Sequence, residues 1–225
     1  MKYSASQKKK VAKLDLSLFE RYGNQGWWPT TSVPGASPVY HPGEEGKEVT
    51  DREAYEIIVG SILTQNTSWA NAEKAIIALS AQNLLNMDSI AQCDGCLETA
   101  IIPARYFNQK AARLRTISAH IIHTGGIRAL CAFSTNDLRK LLLSWKGIGP
   151  ETADCILCYA FSRPVFPVDA YTKRLFRKLG LPSDSYHEMQ ELVHIAISPS
   201  AAGYGDFHAR IVKLFALRES DAFTI

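Results

Sequence analysis

The chain has 225 residues, 46% of them hydrophobic, and carries a formal net charge of +3. This is enough apolar material for a substantial core, in one compact domain or two small lobes sharing a cleft, as in a soluble globular protein. The small positive charge permits a polyanionic partner without requiring one, and no run approaches the eighteen apolar residues that span a bilayer.

The N-terminus, MKYSASQKKKVAKLD, has lysines but no apolar stretch behind them, so no secretory signal is expected. The expected location is cytoplasmic or nucleoid-associated, with no membrane partner. Residues 22–50 (YGNQGWWPTTSVPGASPVYHPGEEGKEVT) are rich in Gly and Pro yet hold Trp27, Trp28 and Tyr40. A structureless stretch of that length is a linker or a functional loop, and adjacent tryptophans argue against a bare linker. By composition they could equally clamp an N-terminal helix onto the body.

Helical periodicity takes over at Asp51. Tyr55, Ile58, Val59, Ile62 and Leu63 form one stripe, which ends in the polar turn Gln65-Asn66-Thr67. A second helix runs from a Ser68 cap through Ala72, Ile76 and Leu79. A third carries Ala111, Leu114, Ile117, Ile121 and Ile122 and stops at Gly125-Gly126. Ser134 and Asp137 form a capping box for a helix with Leu138, Leu141, Leu142 and Trp145 on one face. Glu151 to Phe161 is the next, with Ala153, Ile156, Leu157 and Ala160 buried. No alternating run bounded by hairpin turns argues for a strand, so the class is all-α.

Five cysteines, an odd number in a chain with no export signal, favour free thiols. Cys93 with Cys96 and Cys155 with Cys158 have CxxC spacing. A zinc site is disfavoured, because the pairs lie far apart and Cys155 and Cys158 fall inside a helical apolar pattern as small hydrophobes.

Lys146-Gly147-Ile148-Gly149-Pro150 joins the last two helices. Its glycines allow positive φ and close approach, Ile148 can tuck between the helices, and Pro150 suits a first helical position. Outward backbone N–H groups at the turn would make an anion site. Gly-x-Gly alone also fits an ordinary αα-corner. Downstream, Pro167-Val168-Asp169 opens a basic helix, AYTKRLFRKLG. Alone, Asp169 reads as an N-cap. Following such a hairpin, the combination is far more specific.

With SILTQNTSWANAEKA (61–75), FNQKAARL (107–114), KGIGPETADCILCYAF (146–161) and PVDAYTKRLFRKLG (167–180), the sequence resembles the helix-hairpin-helix DNA glycosylases of the endonuclease III superfamily. Within it, WWP (27–29), LTQNT, FNQKA and GIGPETAD look most like the bacterial 3-methyladenine DNA glycosylase III branch. The resemblance implies two helical lobes, a six-helix barrel over 51–163 and a second lobe from 1–50 plus 164–225, with damaged double-stranded DNA bound in the cleft by a monomer. Lys146, Gly147, Ile148, Gly149 and Thr152 would form the phosphate-binding hairpin, and Gln65 would fill the gap left by a flipped base.

The resemblance also implies chemistry. Asp169 matches the family's catalytic aspartate, which would stabilise positive charge on the sugar and orient or deprotonate a water. Endonuclease III has a lysine, used for a Schiff base, where this chain has Glu151. A carboxylate cannot make that imine, so a monofunctional glycosylase is expected, with water as the nucleophile. Trp27 and Trp69 would sandwich the base, Trp28 and Pro29 would shape the wall, and Glu151 would add a charge suited to a cationic alkylated purine. Uracil, mismatched thymine or oxidised bases on the same fold, or DNA binding without catalysis, are the alternatives. No cysteine follows Cys158, so no iron-sulfur cluster is expected; a monovalent cation at the hairpin is the one cofactor the reading admits. Arg105 stands where relatives usually have glycine. With Lys110, Arg113 and Arg115 it could contact phosphate, although a solvated helix face would use the same residues.

Overall fold

The computed structural model describes residues 2–44 and 46–225. Twelve α-helices are present among them: α1 (Ala5–Tyr22), α2 (Asp51–Leu63), α3 (Trp69–Ala81), α4 (Met87–Gln92), α5 (Cys96–Ala100), α6 (Phe107–Thr124), α7 (Ile127–Cys131), α8 (Thr135–Ser144), α9 (Pro150–Cys155), α10 (Ala170–Lys178), α11 (Tyr186–Ala196) and α12 (Ala201–Ala216). The described residues form no sheet, and the class is all-α as expected. No helix is long and apolar enough to cross a membrane.

Local rules explain most boundaries. Thr50 and Glu53 close a capping box at the start of α2, the Ser134 hydroxyl accepts from Asp137 N at α8, and α6 stops at Gly125 with φ 101°. Within the α6 stripe, Ile122 is exposed rather than buried. The helix expected over 151–161 is interrupted: α9 ends at Cys155 and a π-helical turn follows over Ile156–Ala160. All side chains from Thr152 to Ala160 are buried, because α2 and α12 both pack against this turn. Periodicity alone had assigned one buried face where there is burial all round.

The N-terminal helix α1 packs on α11 and α12, so the chain ends meet. The described residues between α1 and α2 form an ordered loop. Thr30 and Val39 pair as an isolated antiparallel bridge, and His41 N donates to Gly26 O at 2.9 Å. Two buried acids anchor this loop. The Asp206 carboxylate on α12 accepts from Gln25 N at 2.7 Å, and the Glu56 carboxylate on α2 accepts from Thr31 N at 2.7 Å and the Thr31 hydroxyl at 2.8 Å.

Cys93 and Cys96 are joined as a disulfide, against the expectation of free thiols. Gly95, at φ 78°, turns the chain back so that the two sulfurs meet. Cys155 and Cys158 are free and buried, as small hydrophobes would be.

The basic cluster before and along α6 divides. Lys110 is 2% exposed; its Nζ donates to Leu63 O and Ala104 O, each at 2.7 Å, and burial pushes its pKa down to about 8, with Arg113 adding repulsion. It closes the end of α2 and is no phosphate ligand. Arg115 makes a two-pronged pair with Glu98 at 2.7 and 2.6 Å and donates to Cys93 O. Arg105 remains exposed and adopts φ 59°, ψ 162°, a region that only glycine enters without strain. Arg105→Gly should therefore raise stability by about 1 kcal/mol after the entropy cost of glycine, moving the thermal midpoint up by about 2–4 °C. A lower midpoint would contradict the strain argument.

Candidate active site

The hairpin carries one end of the site. Gly147 sits at φ 92°, and a side chain there would overlap the Arg113 guanidinium. Gly149, by contrast, is extended at φ −95°, and nothing lies within 4 Å of where its Cβ would be. Only the first glycine uses the left-handed region; the second leaves backbone open to an incoming group. Ile148 is buried between the helices, while Lys146 is exposed.

Gln65 is drawn onto this hairpin. Its Nε2 donates to Gly147 O at 3.1 Å and to the Thr152 hydroxyl at 2.9 Å, and its Oε1 accepts from Arg113 Nη1. Thr152 is thus buried and engaged with Gln65, so its side chain is not presented to phosphate as expected. Two features of this arrangement disfavour a monovalent cation at the hairpin as it stands. The Gly147 carbonyl is already taken, and the Arg113 guanidinium beside it places a fixed positive charge there.

The aromatic residues gather beside α2. Trp28 and Pro29 are buried, and Trp27 and Trp69 are half-buried. Trp27 meets Trp28 at 5.3 Å between ring centroids and Trp69 at 4.9 Å, with planes inclined by 66° and 62°. The three rings therefore touch edge to face. Trp27 and Trp69 do not stand parallel about 7 Å apart, as two faces enclosing a base would, since stacked rings lie roughly 3.5 Å apart. The Trp27 and Trp28 indole N–H groups are buried without a hydrogen-bond acceptor among the described residues, while the Trp69 side chain interacts with the Tyr40 hydroxyl. A solvent-open groove of about 780 Å³ borders Trp27 and Trp28 and is lined further by Glu53, Tyr159 and Asp206; neither Trp69 nor Asp169 lines it.

Two carboxylates lie close enough at the other end to feel each other's charge. Asp169 is the N-cap of α10, its Oδ1 accepting from Thr172 N at 2.6 Å. Its Oδ2 lies 3.7 Å from His208 Nε2 on α12. Glu151, in the first turn of α9, is exposed by surface area but ringed closely enough that desolvation, with the nearby Asp169 charge, pushes its pKa up to about 7. Tyr159 links the aromatic and acidic ends: its ring packs on Trp28 at 5.4 Å, and its hydroxyl lies 2.7 Å from both Gly205 O and His208 Nδ1.

His208, Tyr159 and Asp154 were not read from the sequence. Asp154 is fully buried and accepts from Arg139 at 2.6 and 3.1 Å, from the Tyr186 hydroxyl at 2.7 Å and from Gln190 Nε2 at 2.7 Å. Tyr186 Oη in turn accepts from Val168 N at 3.3 Å, just before Asp169. A lone acid inside ADCILCYAF was a usable signal, because a buried charge demands partners. Nothing local marked His208. Among the described residues, no group of three or more His, Cys, Asp or Glu side chains is placed to hold a metal.

Comparison with known proteins gives the family and the fold. Residues 59–198 match the HhH-GPD superfamily of base excision DNA repair proteins. A candidate DNA repair glycosylase of Methanocaldococcus jannaschii is 37% identical over 90% of this chain and 86% of its own length. Among solved structures, the H. pylori 3-methyladenine DNA glycosylase MagIII, bound to 1,N6-ethenoadenine, superposes with a TM-score of 0.73 at 24% identity, covering 97% of this chain and 99% of its own. A non-covalent endonuclease III–DNA complex gives 0.68 at 17% identity, over 92% and 85%. At these identities the two structures establish the fold.

Proposed function

The chain belongs to the HhH-GPD superfamily of base excision DNA repair proteins, and from that premise we propose that it is a monofunctional DNA glycosylase that hydrolyses the N-glycosidic bond of alkylated purines such as 3-methyladenine. The observation that carries this reading is one continuous path, Trp69–Trp28–Tyr159–His208–Asp169, joining two indoles to a carboxylate, with Trp27 against both indoles and Glu151 near Asp169. A cationic base gains from indole faces and from negative charge, by about 0.5–2 kcal/mol per cation-π contact. It is also a good leaving group, so a stacking pocket with one acid suffices.

The three rings in contact would have to part to admit a base. Gln65, released from the hairpin, would fill the vacated stack, and the N–H groups around Gly149 would hold phosphate. Asp169 would stabilise the positive charge growing on the sugar, and water would complete the hydrolysis. Glu151 offers no amine, so no strand cleavage is expected. We take residues 51–163 as one lobe and 1–50 plus 164–225 as the other, the protein acting as a monomer in the cytoplasm on damaged double-stranded DNA, without an iron-sulfur cluster.

One observation favours a second reading. With a pKa near 7, Glu151 is partly protonated at neutrality and could donate that proton to a neutral leaving base. The two readings have opposite pH signs. Ionised Glu151 attracts a cationic purine, so release should rise as pH passes 7; a proton donor is lost over the same interval, so release should fall. The test is a panel of duplex oligonucleotides, each with one lesion, scored for abasic sites with and without alkali from pH 5.5 to 8.5. Release of 3-methyladenine that rises through pH 7, loses that rise in Glu151→Gln and gives strand breaks only after alkali is expected. Breaks without alkali would overturn the monofunctional reading, and a falling profile that prefers neutral bases would replace the first substrate class with the second.

A further inference from the structure

His208 is 5% exposed, and its Nε2, 3.7 Å from Asp169 Oδ2, has no hydrogen-bond partner among the described residues. The bonds around Tyr159 decide where the imidazole hydrogen sits. The phenol has one hydrogen and two partners at 2.7 Å, Gly205 O and His208 Nδ1. A carbonyl can only accept, so the phenol hydrogen goes to Gly205 O, and His208 Nδ1 carries the hydrogen it donates to Tyr159 Oη. Burial lowers the imidazole pKa against the pull of Asp169, which keeps the ring neutral at pH 7. Nε2 is then a bare lone pair.

Two acceptors thus face each other at 3.7 Å. That arrangement is repulsive unless a group with two hydrogens lies between them. A water can bridge them: two hydrogen bonds of about 2.8 Å from one oxygen span that separation at roughly 83°, which bends each bond by only about 10°, and because Nε2 is closed to solvent here the water enters when the rings part to admit the base.

We propose that Asp169 Oδ2 and His208 Nε2 together hold the attacking water, each accepting one of its hydrogens, so that the oxygen lone pair faces C1′ of the damaged nucleoside. The proposal rests on the glycosylase reading. As the C1′–N bond breaks, its electron pair leaves with the base. The water oxygen donates a lone pair to C1′, the new C1′–O bond forms, and one proton passes to Asp169 Oδ2 and then to solvent. The other hydrogen, directed at His208 Nε2, stays on the new hydroxyl.

Capture of the sugar cation by methanol tests this, because disordered water competes less well with an added alcohol. In mixed water and methanol, His208→Phe should lower single-turnover release by on the order of 10- to 100-fold and raise the share of methyl glycoside several-fold. His208→Gln, whose amide oxygen can reach the Nε2 position, should restore much of both. A slower His208→Phe with an unchanged methanol share would mean a structural role and overturn the proposal. A ¹⁵N-histidine spectrum of the wild type should show Nε2 unprotonated; a protonated Nε2 would overturn this proposal and leave the glycosylase reading standing. Absence of base release by the wild type from every lesion duplex would overturn both.

Discussion

Replacing Asp169 by Asn should reduce base release by on the order of 10³-fold, about 4 kcal/mol of barrier, while the protein stays folded and still binds a duplex containing an abasic site. The substitution is informative because Asp169 has two separable duties. As N-cap of α10 its Oδ1 accepts from Thr172 N, and Asn caps nearly as well as Asp. The carboxylate charge is what Asn removes. It stands in a confined site, with a side chain 10% exposed beside a buried imidazole, where a charge acts far more strongly on a developing cation than in water. Single-turnover kinetics, anisotropy with an abasic duplex and a thermal melt would be measured together. Activity within tenfold of the wild type, at unchanged thermal midpoint, would remove Asp169 from the mechanism.

The second large effect is on stability. Asp154→Ala should cost about 3 kcal/mol, the low end for breaking a buried pair, because it removes a fully buried carboxylate that Arg139, Tyr186 and Gln190 all bond while the Arg139 side chain stays 31% exposed to solvent. Arg139 on α8, Tyr186 and Gln190 on α11 and Asp154 itself on α9 form one network, so the loss falls on the hairpin and on the segment leading to Asp169 at once. Gln190 also donates to Phe166 O, and Tyr186 accepts from Val168 N, which fixes the approach to Asp169. Urea unfolding measures the loss. A destabilisation under about 1 kcal/mol would mean that solvent reaches these groups and that the network is weaker than its geometry. Asp154→Asn keeps one acceptor oxygen and should fall between.

Several side chains end up where their residue type does not put them, for one physical reason. Lys110 and Arg105 stand five residues apart in the same basic stretch, yet one is sealed under the end of α2 and the other lies in water. Charge type cannot separate them, because the difference is whether two carbonyls from elsewhere converge on the amine. Thr152 was read as a phosphate contact from its place beside the hairpin, and a side chain 87 residues earlier, Gln65, turned it inward. Cys93 and Cys96 follow the same pattern in reverse: an odd number of cysteines with no export signal suggests free thiols, and a local turn at Gly95 brings these two together.

The sequence by itself determined the helical class, the cap at Ser134, the hairpin with its buried Ile148, and an acid rather than an amine at 151. These depend on residues within a turn or two of one another, whose sterics and hydrogen bonds act before any core exists. The tertiary structure decided which groups face Asp169. His208 reaches it from α12, Tyr159 through a π-helical turn, and the indole cluster through a loop held by Asp206 and Glu56. Partners so far apart in the chain are selected by packing and burial, and neither leaves a trace in any local window of sequence.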